Sequence, residues 1–173
     1  AWPAEGLKPL WVTEGLGIGH TTVSVADGRV YVVGMVKESA EGILFAFDLA
    51  GNLVWKQPHG PEWNDMYPGT RCIPTVDGDR VYVMSGKGVL HCFETKTGAI
   101  RWTVDVAKKF AGLAPRCGFA ESVLIDGQKV FCTPGGPDAS LVALDKNTGE
   151  IIWTTKGFSD QSAYCSPILV KHG

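Results

Sequence analysis

Apolar and polar residues alternate over short stretches along the whole chain, and polar turns centred on glycine punctuate the alternation. The clearest case is residues 143–153, Ala-Leu-Asp-Lys-Asn-Thr-Gly-Glu-Ile-Ile-Trp. Period-two alternation on both sides of a Gly-containing turn predicts a β-hairpin, because a strand sends successive side chains to opposite faces and glycine accepts the turn's backbone angles. Residues 92–102 match this pattern position for position, and residues 46–55 match it with one residue fewer. Each copy ends on a tryptophan, at Trp55, Trp102 and Trp153. Residues 8–13 carry only the tail of the pattern, with Trp11 in the tryptophan position. A second hairpin precedes each copy, over residues 20–34, 72–86 and 121–134, with turns at Asp27-Gly28, Asp77-Gly78 and Asp126-Gly127. Its glycines at 28, 78 and 127 lie 50 and 49 residues apart.

Two hairpins in about fifty residues have the dimensions of a propeller blade. The pattern predicts an all-β fold, a β-propeller segment of three complete four-stranded antiparallel blades with partial strands at each end. The expected boundaries are 1–15 for the last strand of a preceding blade, 16–57, 58–106 and 107–157 for the three blades, and 158–173 for the first strand of a fourth. A propeller hides its strand edges by closing a ring, typically of four to eight blades, and no blade covers both of its faces alone. The segment is therefore expected to belong to a larger ring, with the remaining blades as its first partners.

The motif Ala-x-Asp-x-x-Thr-Gly-x-x-x-Trp of residues 143–153 resembles the repeat of the pyrroloquinoline-quinone (PQQ) type β-propellers. The second copy departs from it at Glu94, and the first at Ala50 and in its shorter turn. The resemblance spans nearly the whole chain. It implies a docking set in which Trp11, Trp55, Trp102 and Trp153, with the turn glycines Gly51, Gly98 and Gly149, fasten neighbouring blades. The Gly-His and Trp-Asp doublets of WD repeats are missing, and the double glycine that a kelch repeat needs in every copy occurs once, at Gly135-Gly136. The family includes quinoprotein dehydrogenases and also quinone-free propellers, among them an outer-membrane assembly lipoprotein. Fold alone does not choose between them.

Composition narrows the classes. A net charge of −2 over 173 residues gives no electrostatic case for nucleic acid. No apolar run approaches the ~20 residues of a membrane-spanning helix. Residues 1–6 lack the basic and apolar regions of a signal peptide. A periplasmic, cell-envelope or secreted bacterial location is implied by the resemblance alone.

In a four-stranded blade the turns within hairpins emerge on one face and the links between blades on the other. Here the first set is minimal, whereas the links over residues 57–71 and 105–121 are long and chemically mixed. Function concentrates on long loops held by a rigid scaffold. Counting back six residues from each turn glycine gives Thr22, Cys72 and Glu121, and matching Cys72-x-Pro74 to Cys165-x-Pro167 adds Cys165. These positions are expected to ring the channel mouth. The candidate ligand-binding residues are Trp63, Asn64, Asp65, Tyr67, Arg71, Arg116, Glu121 and His20. One reading is an anion or polar-ligand site, in which arginine supplies planar bidentate donors and Trp63 or Tyr67 a stacking wall. The other is an internal Arg–Glu network that fixes the long loops.

His20, His59, His91 and His172 show no zinc-ligand spacing, and no metal site is assigned. Asp145 is read as the cap of its turn. The five cysteines, 72, 92, 117, 132 and 165, contain no Cys-x-x-Cys and are expected to be free thiols. The resemblance would place a vicinal cysteine pair and a calcium-binding carboxylate and amide set in a dehydrogenase, and no adjacent cysteines occur. Two functions follow from it. The favoured one is a non-catalytic envelope propeller that binds a protein or polymer through its inter-blade loop face, with no cofactor evident in this segment. The alternative is the propeller of a PQQ-dependent alcohol or sugar dehydrogenase, with PQQ and calcium at the channel mouth.

Overall fold

The computed structural model describes residues 2–171. Twelve strands form three four-stranded antiparallel sheets, each a meander in chain order. The first sheet holds β1 (Ser24–Ala26), β2 (Arg29–Met35), β3 (Glu41–Asp48) and β4 (Leu53–Pro61). The second holds β5 (Thr75–Asp77), β6 (Arg80–Met84), β7 (Val89–Glu94) and β8 (Ile100–Asp105). The third holds β9 (Leu124–Asp126), β10 (Lys129–Cys132), β11 (Val142–Asp145) and β12 (Ile151–Thr154). One helical turn, α1 (Val106–Lys109), interrupts the link after β8, capped by the Asp105 carboxylate accepting from the Lys108 amide.

The first turn of each sheet is not the same turn. In the first sheet Ala26 pairs with Arg29, so the central residues are Asp27 and Gly28, both at positive φ, which is the type I′ requirement. In the second and third, Asp77 pairs with Arg80 and Asp126 with Lys129, so the turns are Gly78-Asp79 and Gly127-Gln128, with positive φ on the leading glycine alone. The Asp-Gly pairs therefore do not align. The residue equivalent to Cys72 and Glu121 is Thr21, not the expected Thr22.

Opposite each β-strand tryptophan stands a small residue, as Ala46 faces Trp55, Cys92 faces Trp102 and Ala143 faces Trp153. Directly beyond each pair the register slips by one residue, a bulge repeated in all three sheets. Ala46, Cys92 and Ala143 are fully buried, and Phe47, Phe93 and Leu144 fill the next core layer. The innermost strands β1, β5 and β9 do not pair with one another. Hydroxyls tie them instead, with Thr21 Oγ1 donating to Cys72 O at 2.6 Å, Ser24 Oγ to Pro74 O, and Thr75 Oγ1 to Val123 O at 3.0 Å.

Both hairpin turns of a blade lie on one face, since the Thr95 amide donates to Asp79 O and the Lys146 amide to Gln128 O. The inter-blade links lie on the other, where Glu62 bonds to Ala40 and Gly86, and Phe119 to Gly86. β4 runs to Pro61, past the boundary at 57 expected from the sequence. Residues around Trp11 and 164–170 form no ladder, because a strand is defined by the neighbour it pairs with and these segments meet none. Each still contacts the adjoining sheet, Trp11 through Leu49 O and Ser166 through the Ser122 amide. His172 lies outside the described residues.

Candidate functional site

A cleft of about 310 Å³ opens on the link face, lined by His20, Tyr67, Arg71, Cys117 and Tyr164. Three of these residues are among the sequence candidates. The strand pairing puts His20 and Arg71 in one repeat position, before Thr21 and Cys72, and the match of Cys165-x-Pro167 to Cys72-x-Pro74 adds Tyr164. The cleft is thus a ring position of the fold. Tyr164 was missed because the match of Cys72-x-Pro74 to Cys165-x-Pro167 was not carried one residue back, to Arg71 and Tyr164. Cys117 belongs to the long link and carries no repeat signal.

His20, Arg71 and Tyr164 of the cleft each bond to loop backbone. The Arg71 guanidinium donates to Gly69 O at 2.7 Å and to Tyr67 O. His20 Nε2 lies 3.3 Å from Pro68 O, and the Tyr164 hydroxyl accepts from the Cys117 amide at 2.8 Å. What remains turned outward is largely aromatic, with Tyr67 69% and Tyr164 55% exposed.

The other candidates lie elsewhere. Trp63 is half-buried, its ring against Gly118 and its Cβ against Gly86, with its indole N–H donating to Met66 O at 3.0 Å and Lys87 Nζ 5.0 Å from its ring centre. Asn64, Asp65 and Arg116 are exposed and do not line the cleft. Glu121 and Cys72, expected at the channel mouth, are fully buried. The Glu121 carboxylate accepts from the Thr133 amide at 2.8 Å and from its hydroxyl, and burial pushes its pKa up to about 7 against those bonds. The expected Arg–Glu network is absent among the described residues, because Thr133 and not an arginine satisfies the carboxylate. Arg71 does fix a long loop, through carbonyls.

The repeat tryptophans meet the turn glycines of the following sheet. The Trp11 ring packs on Gly51, Trp55 on Gly98 and Trp102 on Gly149, each leaving no room for a Cβ. Their indole N–H groups donate to Leu49 O at 3.0 Å, Thr95 O at 2.9 Å and Lys146 O at 3.1 Å. Trp153 is 5.8 Å from Phe131 of its own sheet. Asp145 accepts from the Asn147 and Thr148 amides, and Asp48 from Ala50 and Asn52, whereas Glu94 reaches the Thr97 hydroxyl instead. All five cysteines are free thiols. Among the described residues no group of three or more His, Cys, Asp or Glu side chains could hold a metal ion, and no helix is long and apolar enough to cross a membrane.

A family signature described as "Outer membrane protein assembly factor BamB" matches residues 40–170. The protein of that name from Kangiella koreensis is 25% identical over 147 residues, covering 82% of this chain and 34% of its own length. Quinoprotein ethanol dehydrogenase from Pseudomonas aeruginosa is 36% identical over 98 residues, covering 54% of this chain and 15% of its own. The crystal structure of BamB from Moraxella catarrhalis superposes with a TM-score of 0.57 at 21% identity, over 81% of this chain and 37% of that one, a likeness that shows the fold. The chain spans about a third of the first relative and a smaller part of the second.

Proposed function

The chain belongs to the PQQ-repeat β-propeller family described as outer membrane protein assembly factor BamB, and from that premise we propose that it is a binding module of the bacterial envelope that engages a protein partner through its link face. One observation carries this reading. Two exposed tyrosines flank an arginine that two loop carbonyls hold in place at the channel mouth. Tyrosine and arginine are enriched at the energetically important positions of protein interfaces. Tyrosine buries large amphipathic area with few rotatable bonds, and arginine gives several donors in a planar fork, at an ordering cost that anchoring by its own loop lowers. A side chain whose polar groups are already satisfied by its own loop is a preorganised contact surface, not a free acid, base or nucleophile. The envelope location rests on the name of the matched family.

The 36% identity to a quinoprotein ethanol dehydrogenase favours a second reading, an oxidoreductase propeller. PQQ and calcium are the groups that reading brings, and the residues of this chain do not fit them. Calcium wants several ionised or carbonyl oxygens converging at 2.3–2.6 Å. The buried carboxylates Glu62 and Glu121 are bonded to the Gly86 and Thr133 amides under the loops, with pKa values near 7.

A photo-crosslinking residue placed at Tyr67 in the full-length protein, in cells, is expected to give a discrete protein adduct that the same residue at Lys96 on the turn face does not. An absence of adduct at Tyr67, or equal adducts at both positions, overturns the binding reading. Alcohol-dependent dye reduction by the purified full-length protein with PQQ and calcium would establish the second reading in its place.

A further inference from the structure

Inside the seam between the first and second sheets, His59 at the end of β4 faces His91 of β7, their ring centres 5.2 Å apart. His59 is 6% and His91 5% exposed, and Phe93 packs against both. Neither ring nitrogen of His59 makes a hydrogen bond within the protein. His91 Nδ1 meets Thr103 Oγ1 at 3.1 Å while its Nε2 meets nothing. Glu62, fully buried, uses Oε2 to accept from the Gly86 amide at 2.6 Å. Its Oε1 stands 3.9 Å from His59 Nε2, beyond hydrogen-bond range. Two further ionisable groups lie near Glu62, Arg71, which acts to lower its pKa, and the buried Cys72 thiol, which Glu62 itself raises.

We propose that His59, His91 and Glu62 form an acid-sensing latch, in which neutral imidazoles close the seam between the first two sheets and their protonation opens it. Two buried imidazolium rings 5.2 Å apart would repel in a low-dielectric interior, and the Glu62 oxygen that faces His59 stands 3.9 Å away, too far for a hydrogen bond. Opening returns them to water. The linkage follows from the shifts. Burial, with His91 beside it, holds His59 down to about 3, and burial holds His91 down to about 4, against 6.5 for an exposed histidine. Opening therefore takes up a proton at each ring as the pH falls below about 6.5. Glu62 works against them, since burial raises it from 4.5 to about 7 and opening releases its proton over the same range. Two uptakes against one release leave a net uptake of one proton between about pH 4.5 and 6.5. The open fraction then rises about tenfold per pH unit on acidification.

Cys72 reports the opening, since it is buried beside Glu62 and a C92S/C117S/C165S background removes buried Cys92, half-buried Cys117 and exposed Cys165, leaving Cys72 and Cys132. The full-length protein is labelled with 4,4′-dithiodipyridine, which reacts with thiols in acid, at pH 6.5, 5.5 and 4.5, and each rate is normalised to that of denatured protein. Cys72 protection is expected to fall about tenfold per pH unit while Cys132 in the third sheet keeps its protection. In H59Q/H91Q only Glu62 remains, so Cys72 labelling is expected to stay flat or slow as the pH falls. Parallel loss of protection at Cys72 and Cys132, or an unchanged pH dependence in H59Q/H91Q, overturns the proposal. Should that variant fail to fold, the histidine ring NMR signals of the unsubstituted protein decide. Neutral rings at pH 5 support the latch, and titration of His59 and His91 near 6.5 refutes it.

Discussion

Four residues after its repeat tryptophan the first sheet carries His59, and one residue before the small partner of the next tryptophan the second sheet carries His91. The same two positions across the following seam are Val106 and Val142, both fully buried in the apolar core. The rims of the two seams are alike, since Trp55 and Trp102 each sit on a glycine and donate to a carbonyl of the next sheet. One apolar cluster runs through both seams, and at these two positions the second seam continues it with valine. The first has the same rim, and its apolar packing is interrupted at these positions by imidazoles with unpaired nitrogens, each unpaired buried group costing about 1–3 kcal/mol. A shared rim lets neighbouring seams differ inside without changing the ring.

The strongest way to break that comparison is to remove the rims. Trp102→Ala deletes a ring that fills the space over Gly149, and is expected to destabilise the protein by about 3–5 kcal/mol in denaturant unfolding at pH 7. Trp55→Ala should lose less, because Trp55 is more exposed and lies over the seam that the imidazoles interrupt. Losses below about 1 kcal/mol at both sites would mean that the rims are incidental and that the interiors hold the sheets together.

The blade plan was legible because period-two alternation, turn glycines and tryptophans recur every fifty residues, and nothing in the packing overrides them. The bulge beside each tryptophan was not legible, because an inserted ladder residue such as Val54 changes register and not composition. Asp27-Gly28 looked equivalent to Asp77-Gly78, and the difference lies in which residue takes positive φ, a choice between I′ and II′ turns that the letters leave open. That slip of one residue hid the equivalence of His20 and Arg71. It also led to Thr22 in place of Thr21. The histidine pair did leave a signal, since His59 and His91 stand at repeat positions that hold valine in the next seam. Their spacing of 32 residues suggested no common site, since only the packing of two sheets brings them together.

Glu121 sharpens the comparison at intermediate size, because it is a buried carboxyl held within one sheet, whereas Glu62 spans a seam. Its pKa is raised from 4.5 to about 7 by burial. A raised carboxyl pKa means the folded state binds the proton more tightly, so its stabilising contribution is complete below about pH 4.5 and is lost as the pH rises through 7. Glu121→Gln removes the titration while keeping an oxygen for the Thr133 amide. The variant is therefore expected to gain on the parent between pH 4.5 and 8, by about 1–3 kcal/mol. A stability difference that is flat over this range would show that Glu121 is ionised in the folded protein.

The smallest expected effect lies where the two rims are not quite alike. At the second seam Lys146 Nζ reaches Asp77 Oδ2 at 2.8 Å, while the equivalent positions at the first seam are Thr95 and Ala26, which cannot pair. The ion pair is partly exposed, so its attraction is offset by solvent and by the ordering of a long side chain, and its coupling should be about 0.2–1 kcal/mol. A double-mutant cycle with Lys146→Thr and Asp77→Ala measures it, and these substitutions also recreate the first rim on the second seam. The coupling should vanish at 1 M salt, where the screening length is about 3 Å. A coupling that survives high salt, or that exceeds about 2 kcal/mol, would mean that the second seam is held by charge at its rim as much as by the valines behind it.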